Sequence, residues 1–304
     1  MNARSILVTG GEGFIGSALC SKLKEQGHRV VSFDVSKSQS ILNLEQLSRS
    51  ISESDIVLHL AAQADLTKMA ASIEEGLRST QLNVDGTNNV CAMCAKHQKW
   101  LIFASTICVY GNNHDQGPKP TELYACSKLA AEWIVQGYGS NYNMPWTILR
   151  FATTYGPLMR DALGVSRFIK QAITELPVTV HGDGTQNRTL THVSDLVEGT
   201  SSLIGDPDIE IRAKSKILNV SSPEKVTAIQ MARDIVDLAK RRGFLATKII
   251  HIEQRPNQVF DETIDVSGMQ QISGWEAKIK WEKGIETVFD EIVESRESST
   301  SDSC

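Results

Sequence analysis

The sequence predicts an α/β fold, in which a doubly wound parallel sheet carries a smaller mixed α/β domain. Two observations in the first half predict the sheet: short apolar runs alternate with longer amphipathic stretches, and a glycine-rich turn follows the first run. A third observation, the less regular pattern from about residue 158, predicts the smaller domain. Strands alternating with helices imply right-handed βαβ units. Such sheets bind ligands at the carboxyl ends of their strands.

Five apolar runs are expected to be buried parallel strands, because each is apolar almost throughout rather than at every second position. They are SILVTG, RVVSFD, DIVLHLAA, KWLIFAST and WTILRF. Helical segments such as SALCSKLKEQG lie between them, and Gly27 is a plausible C-cap for this one. Later segments, including the strand KILNVSS and the helix AIQMARDIVDLAKRRG, are assigned to the smaller domain.

The chain of 304 residues is long enough for two modest domains. We assign residues 1–156 with 191–215 to the larger domain and residues 157–190 with 216–292 to the smaller one. Residues 293–304 are mostly small, polar or charged, so they are expected to form a disordered tail.

Composition excludes several classes of function. The chain has 31 Lys+Arg against 36 Asp+Glu and no dense basic cluster, which argues against a nucleic-acid partner. No apolar stretch approaches the ~20 residues that span a bilayer, and the N-terminus runs straight into a strand, so a cytoplasmic protein without membrane contact is expected. The six cysteines lack disulfide or zinc spacing, so we expect reduced thiols and no metal site.

The glycine-rich turn TGGEGFIG occupies residues 9–16. Gly10, Gly13 and Gly16 fit the spacing G-x-x-G-x-x-G, with a strand running in and a helix, including Phe14 and Ile15, running out. Glycines let the backbone approach a pyrophosphate, which then lies at the helix N-terminus where free N–H groups favour an anion. The turn therefore predicts a dinucleotide site.

Asp34 ends the second strand, RVVSFD. An acid at this place can accept hydrogen bonds from the adenosine ribose hydroxyls and repels a 2′-phosphate. NAD is therefore favoured over NADP.

Tyr124 and Lys128 lie four residues apart in ELYACSK, so a helix presents both on one face. An ammonium near a phenol favours the phenolate, and NAD⁺ adds positive charge nearby, which together would make Tyr124 a general base near neutral pH. Ser105 and Thr106 follow the fourth strand, and Thr106 is placed to hydrogen-bond the substrate hydroxyl that loses its proton.

These motifs, in this order, resemble the extended short-chain dehydrogenase/reductase family, and within it the NAD-dependent nucleotide-sugar epimerases and dehydratases of the UDP-glucose 4-epimerase type. The resemblance covers residues 5 to about 290. It includes TGGEGFIG, HLAA, LNVDGT, ASTICVYG, YACSK, LRFATTYGP, HGDGTQNR and RPNQ. It implies a Rossmann sheet, bound NAD and a nucleotide-sugar substrate that is expected to be UDP-linked.

The resemblance also implies roles for single residues. Asn43 stands where relatives contact adenine, Ala61 and Ala62 leave room for the cofactor, and Asn83 is expected to be structural. The implied cofactor contacts are Gly10, Gly13, Phe14, Ile15, Gly16, Asp34, Asn43, Leu44, Leu60, Ala61, Ala62, Ser105, Tyr124 and Lys128. The implied substrate contacts are Thr106, Thr153, Arg188 and Arg255, the two arginines holding the diphosphate with their guanidinium forks.

The sequence departs from the family at several places. Thr153 replaces an asparagine, and Gln258 replaces an acid. Ile107 and Cys108 stand where 4,6-dehydratases carry Asp-Glu and where UDP-glucuronate decarboxylases carry a glutamate at the second position. Isoleucine cannot transfer a proton, and an ordinary cysteine is mostly neutral at pH 7. The resemblance with these departures favours simple epimerisation.

The expected function is therefore NAD-dependent 4-epimerisation of a nucleotide-activated hexose through a transient 4-ketose, with Thr106, Tyr124 and Lys128 as the catalytic residues. The alternatives are an NAD(P)H-dependent 4-ketosugar reductase and a sugar-nucleotide dehydratase or decarboxylase. A non-enzymatic dinucleotide sensor is less favoured, because it would not need Tyr124. The resemblance also implies a homodimer that pairs helices near residues 88–96 and 125–136 into a four-helix bundle.

Overall fold

The computed structural model describes residues 2–112, 117–161, 163–245, 247–254, 261 and 264–301. Within them the strands are β1 (Ser5–Thr9), β2 (Arg29–Phe33), β3 (Ile56–His59), β4 (Trp100–Thr106), β5 (Trp146–Phe151), β6 (Thr153–Tyr155), β7 (Val178–His181), β8 (Asn187–His192), β9 (Lys216–Val220), β10 (Lys225–Thr227) and β11 (Ile249–Ile252). The α-helices are α1 (Phe14–Glu25), α2 (Leu44–Ser52), α3 (Leu66–Met69), α4 (Ile73–His97), α5 (Leu123–Tyr142), α6 (Gly164–Ile173), α7 (Val193–Ser201), α8 (Pro207–Ala213), α9 (Ala228–Arg241), α10 (Ser267–Ser273) and α11 (Trp281–Ser301).

The larger sheet is parallel and, among the described residues, has the strand order β2-β1-β3-β4-β5-β9. Successive strand residues point to opposite faces, so Ile6 and Val8 enter one core while Leu7 enters the other. Helices α1 and α7 pack together on the first face, and α2, α4 and α5 cover the second. Burial on both faces explains the continuous apolar runs. The predicted doubly wound α/β fold is confirmed.

The smaller region contains two short sheets, with the orders β10-β8-β6 and β11-β7. Strand β8 pairs in parallel with β6 and antiparallel with β10. Helices α6, α9 and α11 enclose a core that includes Phe168, Ile235 and Phe289. The expected smaller mixed α/β region is therefore present, although the residue boundaries of two domains stay a prediction.

The sequence analysis placed residues 216–220 in the smaller domain, but β9 is the outer strand of the parallel sheet beside β5. Leu218 and Val220 are buried in the core of that sheet, where Met269 of α10 also packs. Local pattern identified the strand, but only its long-range partner decides which sheet it joins.

The C-terminal helix α11 continues to Ser301, whereas the sequence predicted disorder from residue 293. Ile292 and Val293 pack against the core of the smaller region, and Arg296 Nη1 donates to the carbonyl oxygen of Ile173 at 3.0 Å. These tertiary contacts extend a helix that composition alone does not favour. Residues 302–304 lie outside the described residues.

None of the helices in the described part of the chain is both long enough and apolar enough to cross a membrane.

Candidate active site

The glycine turn brings β1, α1 and the end of β3 into close contact. Gly10 has φ +72°, and a Cβ there would lie 2.8 Å from the amide nitrogen of Ala61. A Cβ on Gly16 would collide with the carbonyl oxygen of Gly10. Gly13 is the N-cap of α1 and contributes no side-chain hydrogen bond to its first turn. The first N–H groups of α1 and its dipole therefore suit a phosphate, as the sequence predicts.

Asp34 connects this turn to the end of β2. Its Oδ1 accepts from the Ser36 N–H at 3.0 Å and its Oδ2 from the Glu12 N–H at 3.2 Å. A carboxylate offers about four acceptor positions, so these two bonds leave capacity for two ribose hydroxyls. The turn and Asp34 together fit a dinucleotide such as NAD.

Asn43 has a structural role that its sequence position did not reveal. Its Oδ1 accepts from the N–H groups of Glu45 and Gln46, both at 3.1 Å, and so caps α2. Leu44 begins this helix. Contacts of Asn43 and Leu44 with adenine stay predictions.

Leu60, Ala61 and Ala62 directly follow β3 at the carboxyl edge of the sheet. The Leu60 N–H donates to the carbonyl oxygen of Thr9 at 3.0 Å, which continues the ladder beside the glycine turn. These residues lie where the sequence analysis expects the cofactor to pass.

Tyr124 and Thr106 lie near one another at the carboxyl end of β4, which is compatible with the roles expected for them. Tyr124 is in the first turn of α5, is half-buried, and lies close enough to Thr106 for the threonine hydroxyl to lower its pKa. Thr106 ends β4, and its Oγ1 also accepts from the Cys108 N–H at 3.2 Å. The phenol and the threonine hydroxyl can therefore share one substrate oxygen.

The electrostatics of the pair Tyr124 and Lys128 differ from the sequence-based expectation. Burial raises the pKa of Tyr124 above its usual value, and the nearby Cys108 raises it further. The charge of Arg160 and the hydroxyl of Thr106 act to lower it. Burial also lowers the pKa of Lys128 to about 7, against the opposing charge of Glu132. The Nζ atom of Lys128 lies 4.1 Å from the ring centroid of Phe103. Among the chain's own groups desolvation outweighs the neighbouring charges, and the neutral-range phenol expected with the added charge of NAD⁺ stays a prediction.

A hydrogen-bond network centred on Asn83 positions the loop after β3 against α5. Asn83 Oδ1 accepts from the Gln63 N–H at 2.7 Å, and its Nδ2 donates to the Gln63 carbonyl and to Ser127 Oγ, both at 3.0 Å. Ser127 precedes Lys128, so the network also fixes the start of α5. This arrangement supports the structural role expected for Asn83.

His59 is a buried residue that the sequence analysis did not assign to the site. Its Nδ1 lies 2.7 Å from Thr9 Oγ1 and its Nε2 lies 3.0 Å from Thr87 Oγ1. The Thr87 hydroxyl donates to Asn83, so we assign the imidazole proton to Nε2. Burial, with the charge of Lys128, lowers the pKa of His59 to about 3. The ring is therefore a neutral link between β1, β3 and α4.

Ser105 turns its hydroxyl away from the expected cofactor and toward a buried ion pair. Its Oγ donates to Glu132 Oε1 at 2.5 Å. Arg150 forks onto the same carboxylate, with Nε to Oε1 at 3.0 Å and Nη2 to Oε2 at 2.7 Å. A cofactor contact of Ser105 therefore cannot use this hydroxyl proton. In the sequence, Glu132 could have indicated a buried charge here, because it lies one helical turn beyond Lys128 on the same face.

Arg160 is a second residue that the sequence analysis missed. It follows β6, and its Nη2 donates to the carbonyl oxygen of Ala64 in the loop after β3 at 3.1 Å. Its charge acts to lower the pKa of Tyr124. Arg160 therefore links two loops near the phenol of Tyr124.

Of the residues expected to bind the substrate diphosphate, the structure describes Thr153 and Arg188 but not Arg255. Thr153 begins β6 and Arg188 lies in the neighbouring strand β8. Arg188 Nη1 donates to the carbonyl oxygen of Asn187 at 2.6 Å. Arg255 and Gln258 lie outside the described residues. Binding of the diphosphate by Thr153, Arg188 and Arg255 stays a prediction.

Known proteins resemble the chain over nearly its full length. A UDP-N-acetyl-alpha-D-glucosaminuronate decarboxylase from Bacillus cytotoxicus is 29% identical over 92% of this chain and 94% of that protein. The structure of a UDP-glucose 4-epimerase from Thermotoga maritima, solved with UDP-glucose, superposes with a TM-score of 0.85 at 25% identity, covering 96% of this chain and 99% of that one. A UDP-glucuronic acid 4-epimerase from Bacillus cereus, solved with UDP-glucuronic acid and NAD, gives 0.86 at 25% identity with the same coverages.

Residues 6–221 match the profile of the NAD dependent epimerase/dehydratase family, which is most of the chain. The matched range begins in β1 and ends just after β9, so it contains the glycine turn, Asp34, Thr106, Tyr124 and Lys128. The chain belongs to the NAD-dependent epimerase/dehydratase family and is an NAD-binding enzyme that modifies nucleotide sugars.

Proposed function

We propose that the enzyme interconverts the C4 epimers of a UDP-linked hexose through a transient 4-keto sugar. The observation that carries the proposal is the proximity of Tyr124 and Thr106 at the carboxyl end of β4, where Ile107 directly follows Thr106. Oxidation and re-reduction at C4 need a proton acceptor for one hydroxyl, and this pair can serve it. Arg188 and Arg255 are proposed to hold the diphosphate.

NAD, held by the glycine turn and Asp34, would supply the acceptor and donor for the hydride at C4. Tyr124 takes the proton from the C4 hydroxyl and later gives it back, so its pKa must fall from the raised value in the chain. Arg160 and Thr106 both act in that direction. Lys128, one turn along the same helix face, is proposed to orient the nicotinamide ribose.

The two residues that directly follow Thr106, Ile107 and Cys108, make dehydration and decarboxylation less favoured functions for this site. Ile107 is buried, at 2% exposure, and has no ionisable group. Cys108 is half-buried near Tyr124, and its ionised form would raise the pKa of the base. Elimination of water needs an additional acid and base at this place, and isoleucine supplies neither. A 4-ketosugar reductase would use the same catalytic residues with exchangeable reduced cofactor, and it is the second candidate.

We further propose that the hexose carries a carboxylate at C6. The supporting observation is the guanidinium of Arg160, which lies near enough to Tyr124 to lower its pKa. A guanidinium in this place would face a substituent near the reacting carbon. Two of the similar proteins are named for UDP-linked uronic acids. A 4-keto uronate is a β-keto acid, so an arginine that holds the carboxylate as an anion would also oppose loss of CO₂.

Isotope tracing tests the reaction class. UDP-glucuronic acid and UDP-glucose, each deuterated at C4, are incubated separately with the enzyme in H₂O and the products are followed by NMR and mass spectrometry. The expected product is the C4 epimer of the uronate, with its label retained and without added NADH. In D₂O, C5 should take up no solvent deuterium.

Other outcomes assign the alternatives. A requirement for external NADH identifies a reductase, and C5 exchange with loss of water identifies a dehydratase. Release of CO₂ with a pentose product identifies a decarboxylase. Arg160→Gln should slow turnover of both substrates through its effect on Tyr124, and should weaken turnover of the uronate by about tenfold or more beyond that, since only the uronate carries the extra charge. Equal loss with both substrates would contradict the carboxylate assignment.

We also propose a homodimer that pairs α4 and α5 of two copies. Large apolar side chains lie exposed on these helices, with Ile73 at 87%, Leu77 at 69% and Trp133 at 65% exposure. Light scattering should give twice the chain mass, and Trp133→Lys should give a monomer. Ile211→Lys, at an exposed apolar residue of α8, is the matched control and should stay dimeric.

A further inference from the structure

Glu12 is the residue of the glycine turn that the assigned functions leave unexplained. It lies between Gly11 and Gly13, and its N–H donates to Asp34 Oδ2 at 3.2 Å. The backbone of Glu12 is therefore held against the acid that is expected to face the adenosine ribose. Phosphate binding by the turn needs no side chain at this position.

The Glu12 carboxylate is held in place by two donors from outside the turn. Its Oε1 accepts from Ser32 Oγ at 2.5 Å and pairs with Lys37 Nζ at 2.6 Å. Ser32 belongs to β2, and Lys37 ends the 3-10 helix of residues 35–37, which Asp34 caps. These bonds also lower the pKa of Glu12, so the carboxylate is charged at neutral pH. A carboxylate and an ammonium thus flank Asp34 in a defined arrangement.

Lys37 creates a problem for cofactor selection that Asp34 alone does not remove. In this fold the acid at the end of the second strand binds the ribose that carries the 2′-phosphate in NADP. An ammonium three residues beyond that acid would attract a group with nearly two negative charges. Glu12 engages this ammonium and adds a second negative charge beside Asp34.

We propose that Glu12 is a specificity-determining residue for the cofactor: it neutralises Lys37 and, with Asp34, rejects the 2′-phosphate of NADP. The assignment concerns the cofactor alone, so it stands independently of the sugar substrate and of the reaction at C4. Because the pair is partly exposed, its effect should weaken as ionic strength rises.

The test measures which nucleotide the protein binds. Purified wild-type protein and variants are equilibrated with equal concentrations of NAD⁺ and NADP⁺ until the bound ratio is constant. Free nucleotide is then removed, and the bound nucleotides are quantified by liquid chromatography and mass spectrometry. Fluorescence titrations with NADH and NADPH give the separate affinities.

Glu12→Gln should raise the bound NADP⁺:NAD⁺ ratio by about fivefold or more, because it removes one negative charge and releases Lys37. The double variant Glu12→Gln with Lys37→Met should lose most of that gain. Asp237→Asn is the matched control, since Asp237 forms a comparable exposed pair with Lys240 at 3.3 Å on α9. This control removes the same net charge and should leave the ratio unchanged.

An unchanged ratio in Glu12→Gln, with an unchanged melting temperature and normal NADH affinity, would overturn the proposal. A gain that persists in full in the double variant would overturn the role given to Lys37. A gain of equal size in Asp237→Asn would show that total charge, and not this pair, sets the ratio.

Discussion

Lys128 and Arg150 are both buried cations beneath the same site, with 2% and 7% exposure, but they have different surroundings. Arg150 forks onto Glu132 with two hydrogen bonds of 3.0 and 2.7 Å. Lys128 lies over the ring of Phe103. Burial acts to lower the pKa of both groups, yet the bonds and charge of Glu132 raise that of Arg150, whereas the pKa of Lys128 falls to about 7.

The difference separates a structural cation on β5 from a cation on α5 for which we propose a role in cofactor binding. Glu132 satisfies its arginine and the Ser105 hydroxyl, so that pair maintains the packing of α5 on β4 and β5. Lys128 is held over a ring at the end of the helix that carries Tyr124. A buried ammonium in such a place lowers stability, which a protein tolerates where the charge is used in binding or catalysis.

Arg150→Met should cause the largest loss of stability. It leaves the Glu132 carboxylate buried without its cation, which typically costs about 3–5 kcal/mol in the free energy of unfolding. Denaturant unfolding monitored by circular dichroism measures the loss. The double variant Arg150→Met with Glu132→Gln should recover much of it, and a neutral single variant would contradict the structural role of the pair.

Tyr124→Phe should decrease kcat by about 10²-fold or more, because only the proton-accepting oxygen is removed. NAD content and the free energy of unfolding should change little, which distinguishes this change from Arg150→Met. Tyr138→Phe on the same helix is the control, because it removes a hydroxyl that donates to Asn88 Oδ1 at 3.2 Å, away from Thr106. Retention of more than about half the wild-type rate in Tyr124→Phe would exclude it as the base.

Lys128 should leave a signature in the pH dependence of stability. Its pKa is 10.5 in the unfolded chain and about 7 in the folded one, so between these values the unfolded state binds more protons. The free energy of unfolding therefore gains up to about 1.4 kcal/mol per pH unit as pH rises through this range, and below it the contribution is constant.

Urea unfolding of wild type and Lys128→Met at several pH values from about 7.5 to about 9.5 isolates this contribution as a difference between the two proteins. The wild type should gain stability relative to the variant as pH rises. Lys240→Met, at an exposed lysine, should show no such difference. Parallel pH profiles for wild type and Lys128→Met would mean that Lys128 keeps an ordinary pKa in the folded protein.

Ser105→Ala should have the smallest effect. It removes one hydrogen bond to Glu132 but leaves both bonds from Arg150, so a loss of about 1 kcal/mol is expected. Calorimetric melting measures it. A loss as large as that of Arg150→Met would indicate that the serine, and not the arginine, satisfies the carboxylate.

Local patterns predicted the parts of this site that depend on sequence spacing. The meeting of Thr106 with Tyr124 follows from a strand end and a helix start at one edge of a parallel sheet. The contact of Asp34 with the glycine turn follows from adjacent strands in the same way. Such edges are shared by all strands of the sheet, so residues distant in sequence can be placed there with little further information.

The remaining features depend on packing that spacing does not encode. Glu132 and Arg150 belong to different elements, and nothing in either segment marks them as partners. The position of Arg160 depends on a loop that reaches the carbonyl of Ala64. The raised pKa of Tyr124 depends on desolvation, which is set by the packing around the phenol and which the spacing of Tyr124 and Lys128 does not encode.

Strand β9 has a consequence for synthesis on the ribosome. β5 ends at Phe151 and its outer partner begins only at Lys216. At about 5–20 residues per second, the nascent sheet exposes the unpaired edge of β5 for several seconds before that partner emerges. An open apolar edge is a template for pairing with other chains. The growing polypeptide is therefore vulnerable to aggregation in the interval after β5 is complete and before β9 arrives.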